Sequence, residues 1–335
     1  MAGGKGTRFW PRSTLAAPKQ FLPLISGETM IQATYRRFLQ WIPREHIYVA
    51  TAQRYVPLLE RQLPELDAER MIVEPEQKDT GPSVALAAHY FLKNGIDDVV
   101  VMTPSDQYIA DGDALREALC EAAEAAESVP SVVTLGIVPT RPETGYGYMV
   151  YEEKPFRNRV HRVKSFIEKP NLPRAEKLYR QPHTVWNSGI FIWRPSTIAH
   201  YMGKLQPDIW DALKNISDDP AELARTYSAL PSISVDYAVM EKAEQLFTIP
   251  VDFAWDDIGL WTSLERFHAS DGDGNIANGD VHPFESSGNI VFSDKKTLII
   301  GVRDLIIVST EEGLLVCAKS EEHKIKQALA AAGGL

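Results

Sequence analysis

Two sets of residues in this chain have types and spacing suited to handling phosphate. The first is the run at residues 1–13, M-A-G-G-K-G-T-R-F-W-P-R-S. There Gly3, Gly4 and Gly6 stand beside Thr7 and Arg8, with Lys19 shortly after. Glycines let a backbone turn sharply and bring its N–H groups close to an anion. Lysine and arginine add charge that matches phosphate. The run is neither of the two commonest phosphate loops. Phe9 stands where a dinucleotide fingerprint needs its third glycine, and Lys5 is followed by Gly6, where a Walker loop needs Ser or Thr.

The second set is acidic. The apolar run Val99-Val100-Val101-Met102 ends in Thr103-Pro104-Ser105-Asp106. An acid just past the carboxyl end of a buried strand is well placed for a metal, though a turn or helix cap also favours aspartate there. A further pair lies in Trp255-Asp256-Asp257-Ile258-Gly259, which could also cap a helix beginning near Leu260. Magnesium is held by one or two carboxylates completed by substrate phosphates and water. Two aspartates distant in the chain would meet that need. Glu168-Lys169-Pro170 is by itself a weak signal, readable as a surface ion pair.

The elements that must position these residues follow from hydrophobic periodicity. Apolar runs at 47–51, 71–74, 99–103 and 132–138 predict strands, and 30–40, 55–63, 82–93 and 114–127 predict helices. Such alternation points to an α/β fold, Rossmann-like, with a mostly parallel sheet flanked by helices and ligands beyond the carboxyl ends of the strands. From about residue 145 longer strands appear at 148–152, 160–167 and 189–193, with helices at 197–205 and 222–230. Asp271-Gly272-Asp273-Gly274-Asn275 reads as a linker. It fails as a calcium loop, because Ile276 and His282 stand where Gly and Glu are needed. Short strands at 289–292, 298–301, 305–308 and 314–317 and a helix from 321 predict a small C-terminal β appendage. The expected division is a catalytic domain over 1–268 and a small β domain over 279–335.

Composition narrows the class. The 335 residues are 44% hydrophobic and 24% charged, with net charge −10. The acidic balance argues against a nucleic-acid partner. No window approaches a membrane span and no signal segment opens the chain, so a cytoplasmic protein is expected. Cys120 and Cys317 lack metal-ligand spacing and read as buried thiols in a reducing compartment.

The N-terminal run resembles the signature G-G-x-G-T-R-x-x-P of sugar-nucleotide pyrophosphorylases. With F-W-P-R-S and Pro18-Lys19-Gln20-Phe21 it is similar to their mannose-1-phosphate guanylyltransferase branch. Four further segments are similar in the same order: Pro104-Ser105-Asp106 to P-x-D, Thr144-Gly145-Tyr146-Gly147-Tyr148 to T-G-Y-G-Y, Phe166-Ile167-Glu168-Lys169-Pro170 to F-x-E-K-P, and Asn187-Ser188-Gly189 to N-S-G. Trp255-Asp256-Asp257-Ile258-Gly259 is similar to W-x-D-[VI]-G.

The resemblance implies transfer of GMP from GTP to mannose 1-phosphate, giving GDP-mannose and pyrophosphate, with Mg²⁺ as cofactor. Asp106 and Asp257, rather than Asp256, would be its ligands. Arg8 and Lys19 would hold the triphosphate, and Gly3, Gly4, Gly6 and Thr7 would line the nucleotide phosphates. Lys169 would hold the sugar phosphate. Glu168 and Asn187 would meet sugar hydroxyls, with Gly147 letting the backbone approach the sugar. The segment 74–83 is similar to E-P-x-x-x-[DN]-T-A-P, which borders the purine. Glu74, Asp79 and Thr80 are candidates there, while an Asp79-Thr80 helix cap is equally open. A different base or sugar, or a catalytically impaired sugar-nucleotide-binding homologue, are the alternatives. Family members carry an apolar strand before the glycine loop, so a longer native form is expected. No cupin-sized segment follows the appendage, whose exposed strands could serve a homodimer.

Overall fold

Apolar runs become the inner strands of the sheet, two of which, six residues each, are buried almost throughout. The computed structural model describes residues 1–4, 6–217 and 219–333, so Lys5 of the glycine run lies outside them. The strands are β1 (Val49–Ala52), β2 (Met71–Glu74), β3 (Val100–Met102), β4 (Tyr108–Ile109), β5 (Val132–Ile137), β6 (Tyr148–Tyr151), β7 (His161–Ile167), β8 (Thr184–Trp193), β9 (Leu246–Val251) and β10 (Trp255–Asp256). The helices are α1 (Met30–Leu39), α2 (Val56–Gln62), α3 (Thr80–Lys93), α4 (Gly112–Ser128), α5 (Leu172–Tyr179), α6 (Pro195–Leu205), α7 (Pro207–Leu213) and α8 (Pro220–Ala229).

Six strands form the central sheet in the order β3-β8-β5-β9-β7-β6, while β1 and β2 pair in parallel beside it. Successive side chains of a strand point to opposite faces. Phe191 and Trp193 of β8 accordingly join one core with α3, α6 and α7, whereas Ile190 and Ile192 join another with α4. Helix α4 matches that second face with Leu115, Ala118, Leu119, Ala122, Ala125 and Ala126, an apolar stripe at helical spacing. The α/β class with helices on both faces is therefore as the sequence predicts.

The strand directions are less parallel than expected. Strands β5 and β9 pair in parallel, but β8 lies between β3 and β5 and runs against both. It also pairs antiparallel with β6. The ten-residue β8 comes from the half of the chain after residue 145. Its return into the middle of the sheet is a long-range event that no local pattern announces.

A cavity of about 540 Å³ separates β1 from β3, lined largely by apolar side chains including Phe38, Tyr48, Ile72, Phe91 and Val101. It leaves Val100 and Val101 only half-buried, against the expected burial on both faces. The Ala2 N–H donates to the Ala50 carbonyl (2.7 Å) and the Met1 amine to the Thr103 carbonyl (2.8 Å), so the start of the chain spans from β1 to the end of β3.

The appendage comprises β11 (Ile276–Asn278), β12 (Val281–Phe284), β13 (Ile290–Ser293), β14 (Thr297–Ile300), β15 (Leu305–Ser309) and β16 (Leu314–Ala318), then helix α9 (Ile325–Ala331). Strands β11, β13 and β15 stack in parallel, as do β12 and β14, so the chain coils with two strands per turn. Asn275 and Asn289 bond across one corner at 2.8 Å, and Asn289 accepts in turn from the Leu305 N–H. Ile290, Phe292, Ile306 and Val308 fill the coil and share a core with Phe9, Trp261 and Leu264 of the preceding α/β part. One sequence expectation is corrected here. Cys120 is exposed on the outer face of α4, and Cys317 is only partly covered.

Candidate active site

The glycine run is oriented by bonds to its carbonyl groups. The Ala2 and Gly4 carbonyls accept from the Gln20 side-chain amide (2.9 and 3.1 Å), the Gly3 carbonyl from Gln77, and the Gly6 carbonyl from the Ser13 hydroxyl (2.6 Å). The N–H groups of Gly3, Gly4, Gly6 and Thr7 meet no acceptor among the described residues. Half-buried groups such as the Gly3, Gly6 and Thr7 N–H need partners, so this arrangement presents a set of donors to an anion. Gly6 adopts φ +56°, and a Cβ there would lie 2.5 Å from Cβ of Lys19, so only glycine fits the turn. Arg8 is exposed next to this loop and forms no ion pair among the described residues.

Lys19 sits beneath the loop with its side chain 8% exposed. Its Nζ donates to the Asp106 carboxylate (3.0 Å), to the Asp106 carbonyl (2.9 Å) and to the Asp257 carbonyl (2.5 Å). The fold thus brings the two distant aspartates to one ammonium group. The Asp257 carboxyl is pushed above its usual range by burial, partly offset by the nearby Lys19 charge and by the Tyr146 hydroxyl. Its Oδ1 accepts from Tyr146 (2.6 Å) and from the Gly259 N–H (3.1 Å), and its Oδ2 takes no hydrogen bond among the described residues. Asp256 has a different job. It holds the Ile258 N–H (2.8 Å) and pairs with Arg266 (2.5 Å). The described residues hold no group of three or more metal-ligating side chains.

A second cluster lies where β6 begins and β7 ends, beside Asn187 within β8. Glu168, 4% exposed, pairs with Lys169 at 2.5 Å. Gly147 is glycine because a Cβ would fall 2.5 Å from Oε2 of Glu168 and 3.2 Å from the Phe166 ring. Its role on the protein side is to admit the glutamate. Asn187 donates to Oδ1 of Asp236 (2.9 Å) and accepts from Thr134 (3.2 Å). Burial beside Glu168 pushes the Asp236 carboxyl up to about 6. Asp236 opens a five-residue π-helix (Asp236–Met240), a form frequent at functional sites. The sequence reading misses Asp236, because Ser234-Val235-Asp236-Tyr237 has no spacing that marks it.

The segment 74–83 meets the glycine loop across a cavity of about 210 Å³. Gly3, Gly4, Gln20, Glu74, Gln77, Asp79, Thr80 and Asp106 are among the lining residues. Of the candidate residues, Gly3, Gly4, Glu74, Asp79, Thr80 and Asp106 line this smaller cavity, and none of them lines the larger apolar one. Glu74 accepts from Ser83 (2.9 Å) and Tyr227 (2.6 Å) in a buried position. Asp79 caps α3 by accepting from the Thr80 N–H (2.8 Å), and the Thr80 hydroxyl accepts from the Val235 N–H (2.8 Å).

A glycine loop with N–H groups unpaired among the described residues, set above a lysine that touches two distant aspartates, agrees with the family that matches this chain. The nucleotidyl transferase model covers residues 1–274. The chain belongs to the nucleotidyl transferase family. A second model, described as a MannoseP isomerase/GMP-like beta-helix domain, covers residues 279–330, the coiled appendage of this nucleotidyl transferase.

Named relatives extend over nearly the whole chain. XanB, a xanthan biosynthesis protein of Xanthomonas campestris, is 34% identical over 335 residues, 98% of this chain and 71% of its own length. A mannose-1-phosphate guanylyltransferase of Escherichia coli is 34% identical over 342 residues, with the same two shares. A solved structure from Thermus thermophilus, described as a mannose-1-phosphate geranyltransferase, superposes with TM-score 0.88 at 34% identity. It covers 99% of this chain and 98% of that one. No helix of this nucleotidyl transferase is long and apolar enough to cross a membrane among the described residues.

Proposed function

We propose that this nucleotidyl transferase moves GMP from GTP to mannose 1-phosphate, yielding GDP-mannose and pyrophosphate. The observation that carries the reading is the meeting of Lys19, Asp106 and Asp257 beneath a glycine loop whose N–H groups are unpaired among the described residues. The guanylyltransferase name of the Escherichia coli relative supports the choice of base and sugar.

The reaction needs an oxygen of the sugar phosphate to attack the α-phosphorus of GTP while pyrophosphate leaves. The second pKa of a phosphate monoester is about 6, so the nucleophile is largely dianionic at neutral pH and no general base is required. The obstacle is to bring two polyanions together and stabilise the added charge. The Gly3, Gly4, Gly6 and Thr7 N–H groups bind the nucleotide phosphates, and Arg8 and Lys19 neutralise the leaving group. Glu74, Asp79, Thr80 and the loop around them enclose the base. Lys169 holds the sugar phosphate, with Glu168 and Asn187 on the ring hydroxyls.

Asp106 and Asp257 suit Mg²⁺. A cationic nitrogen already lies against both residues, and Oδ2 of Asp257 has lone pairs to give. With only two carboxylates, the remaining ligands would be substrate phosphates and water. When bound, the ion supplies charge neutralisation between the two phosphate groups.

Exposed Phe284, Leu298 and Ile300 on β12 and β14 support a homodimer through the appendage. The test of the function is pyrophosphate release from GTP with mannose 1-phosphate, against ATP, UTP and dTTP and against glucose 1-phosphate. Preference for another pair would reassign the substrate.

A further inference from the structure

Asp236 is charged, half-buried and set among the residues assigned to the sugar, yet no motif includes it. Its Oδ1 accepts from the Asn187 amide at 2.9 Å. The Glu168 carboxylate and Lys169 ammonium are its charged neighbours, and Tyr237, 45% exposed, follows it beside Lys169. Oδ2 of Asp236 takes no hydrogen bond from another residue among the described residues. Burying a carboxylate without saturating it is costly, and Asp236 stands on a π-helix, where the widened turn projects the side chain differently from an α-helical one.

We propose that Asp236 is a substrate-contacting residue for the hexose, its Oδ2 accepting from a ring hydroxyl while Oδ1 locks Asn187 in place for a second one. The inference rests on the reading of Glu168, Lys169 and Asn187 as the sugar-phosphate site. It adds an acceptor from a part of the chain remote from the other three. Two carboxylates, Glu168 and Asp236, then face the hydroxyl side of the sugar, while Lys169 serves its phosphate. Such a site rejects a substrate that lacks a matching hydroxyl, because an acceptor would be left unpaired.

The experiment compares wild type, Asp236→Asn and Asp236→Ala in steady-state pyrophosphate release with GTP and mannose 1-phosphate. Asparagine keeps an oxygen for the Asn187 amide and removes the charge. The expected result for Asp236→Asn is KM for mannose 1-phosphate raised about 10- to 100-fold, the range for one hydrogen bond to a charged group, with KM for GTP within about twofold of wild type. Burial raises the Asp236 carboxyl, so the ratio of the two sugar KM values shrinks as the pH falls through 6. Taking the ratio cancels the protonation of the sugar phosphate itself.

An Asp236→Asn enzyme with unchanged KM for the sugar at all pH values overturns the proposal. So does an Asp236→Ala enzyme impaired equally toward both substrates while Asp236→Asn is normal, since that pattern marks a purely structural side chain. Failure of the wild type to use mannose 1-phosphate, while turning over another sugar phosphate, would instead sink the underlying substrate reading. The same KM comparison would then be run with that sugar.

Discussion

The hydroxyl of Tyr146 donates a 2.6 Å hydrogen bond to Oδ1 of Asp257, joining two segments 111 residues apart. Tyr146 lies in the run that opens β6, and Asp257 follows β10. The Tyr146 ring packs edge-on against Trp186 and Trp255, with the Arg141 guanidinium over it and over Trp186. An aromatic wall therefore fixes the direction in which the Asp257 carboxylate points. Tyr146→Phe keeps the wall and deletes one hydrogen bond to a buried acid, an interaction of about 1.5–3 kcal/mol when the acceptor is charged. We expect kcat to fall about tenfold or more with little change in KM for either substrate, read from initial rates.

The adjacent aspartates divide their work. Asp257→Asn removes charge from the proposed metal site, and turnover should drop at least about 100-fold. Asp256→Asn retains an oxygen for the Ile258 N–H but weakens the pair with Arg266. Its melting temperature should fall while kcat stays within a few-fold of wild type. The reverse ranking would move the metal ligand by one position.

Thr80 lines the cavity beside the glycine loop, yet its hydroxyl accepts from the Val235 N–H, one residue before Asp236. The start of α3 also holds this segment through the Gly81 N–H, which donates to the Ile233 carbonyl at 2.9 Å. Thr80→Val should therefore raise KM for mannose 1-phosphate several-fold, a disturbance at the proposed sugar side from a residue on the proposed base side. An effect confined to KM for GTP would argue that the link transmits nothing.

The raised carboxyl of Asp236 has a signed consequence for stability. An acid whose folded-state pKa, about 6, exceeds its ordinary 3.8 binds its proton more tightly in the folded chain. Its ionisation costs stability above pH 6, and the cost is relieved as the pH falls from 6 toward 3.8. Asp236→Asn should melt higher than wild type at pH 7.5, with the difference narrowing by pH 4.5. Paired thermal melts across that range, without substrate, would show it.

Glu322, buried just before α9, accepts from the N–H and hydroxyl of Thr262 in the catalytic part. It ties the coil to the turn that follows Asp257. Glu322→Ala leaves those donors unpaired, at about 1–3 kcal/mol for a buried group. The melting temperature should drop by several degrees, and the loss should be largest at the junction in hydrogen exchange. Exchange unchanged at residues 260–264 would contradict the tie.

Much of the scaffold is legible because it is local. The strand Met71–Glu74 has the expected bounds, and α1, α4 and β5 begin and end within two residues of the sequence reading. Their apolar periodicity and caps, such as Asp111 accepting from the Ala114 N–H, are written in adjacent residues. Strand β9 and helix α7 escape that reading, and the stacked order of β11, β13 and β15 is hidden from it. A coil's register depends on which strands meet across a turn, and only a few turns are present to show a repeat.

The residue types pointed to the kind of chemistry: glycines for close backbone approach, cations for phosphate, carboxylates for a divalent ion. Their order along the chain suggested which segments belong together. What the amino acids alone left open was mutual distance. Folding brought Lys19 against Asp106 and Asp257, aimed Tyr146 at one of them, turned the glycine carbonyls inward, and set Asp236 beside Glu168, Lys169 and Asn187. Each of these is a contact between segments far apart in the chain. Such contacts are set by sheet order and core packing, which no local spacing encodes.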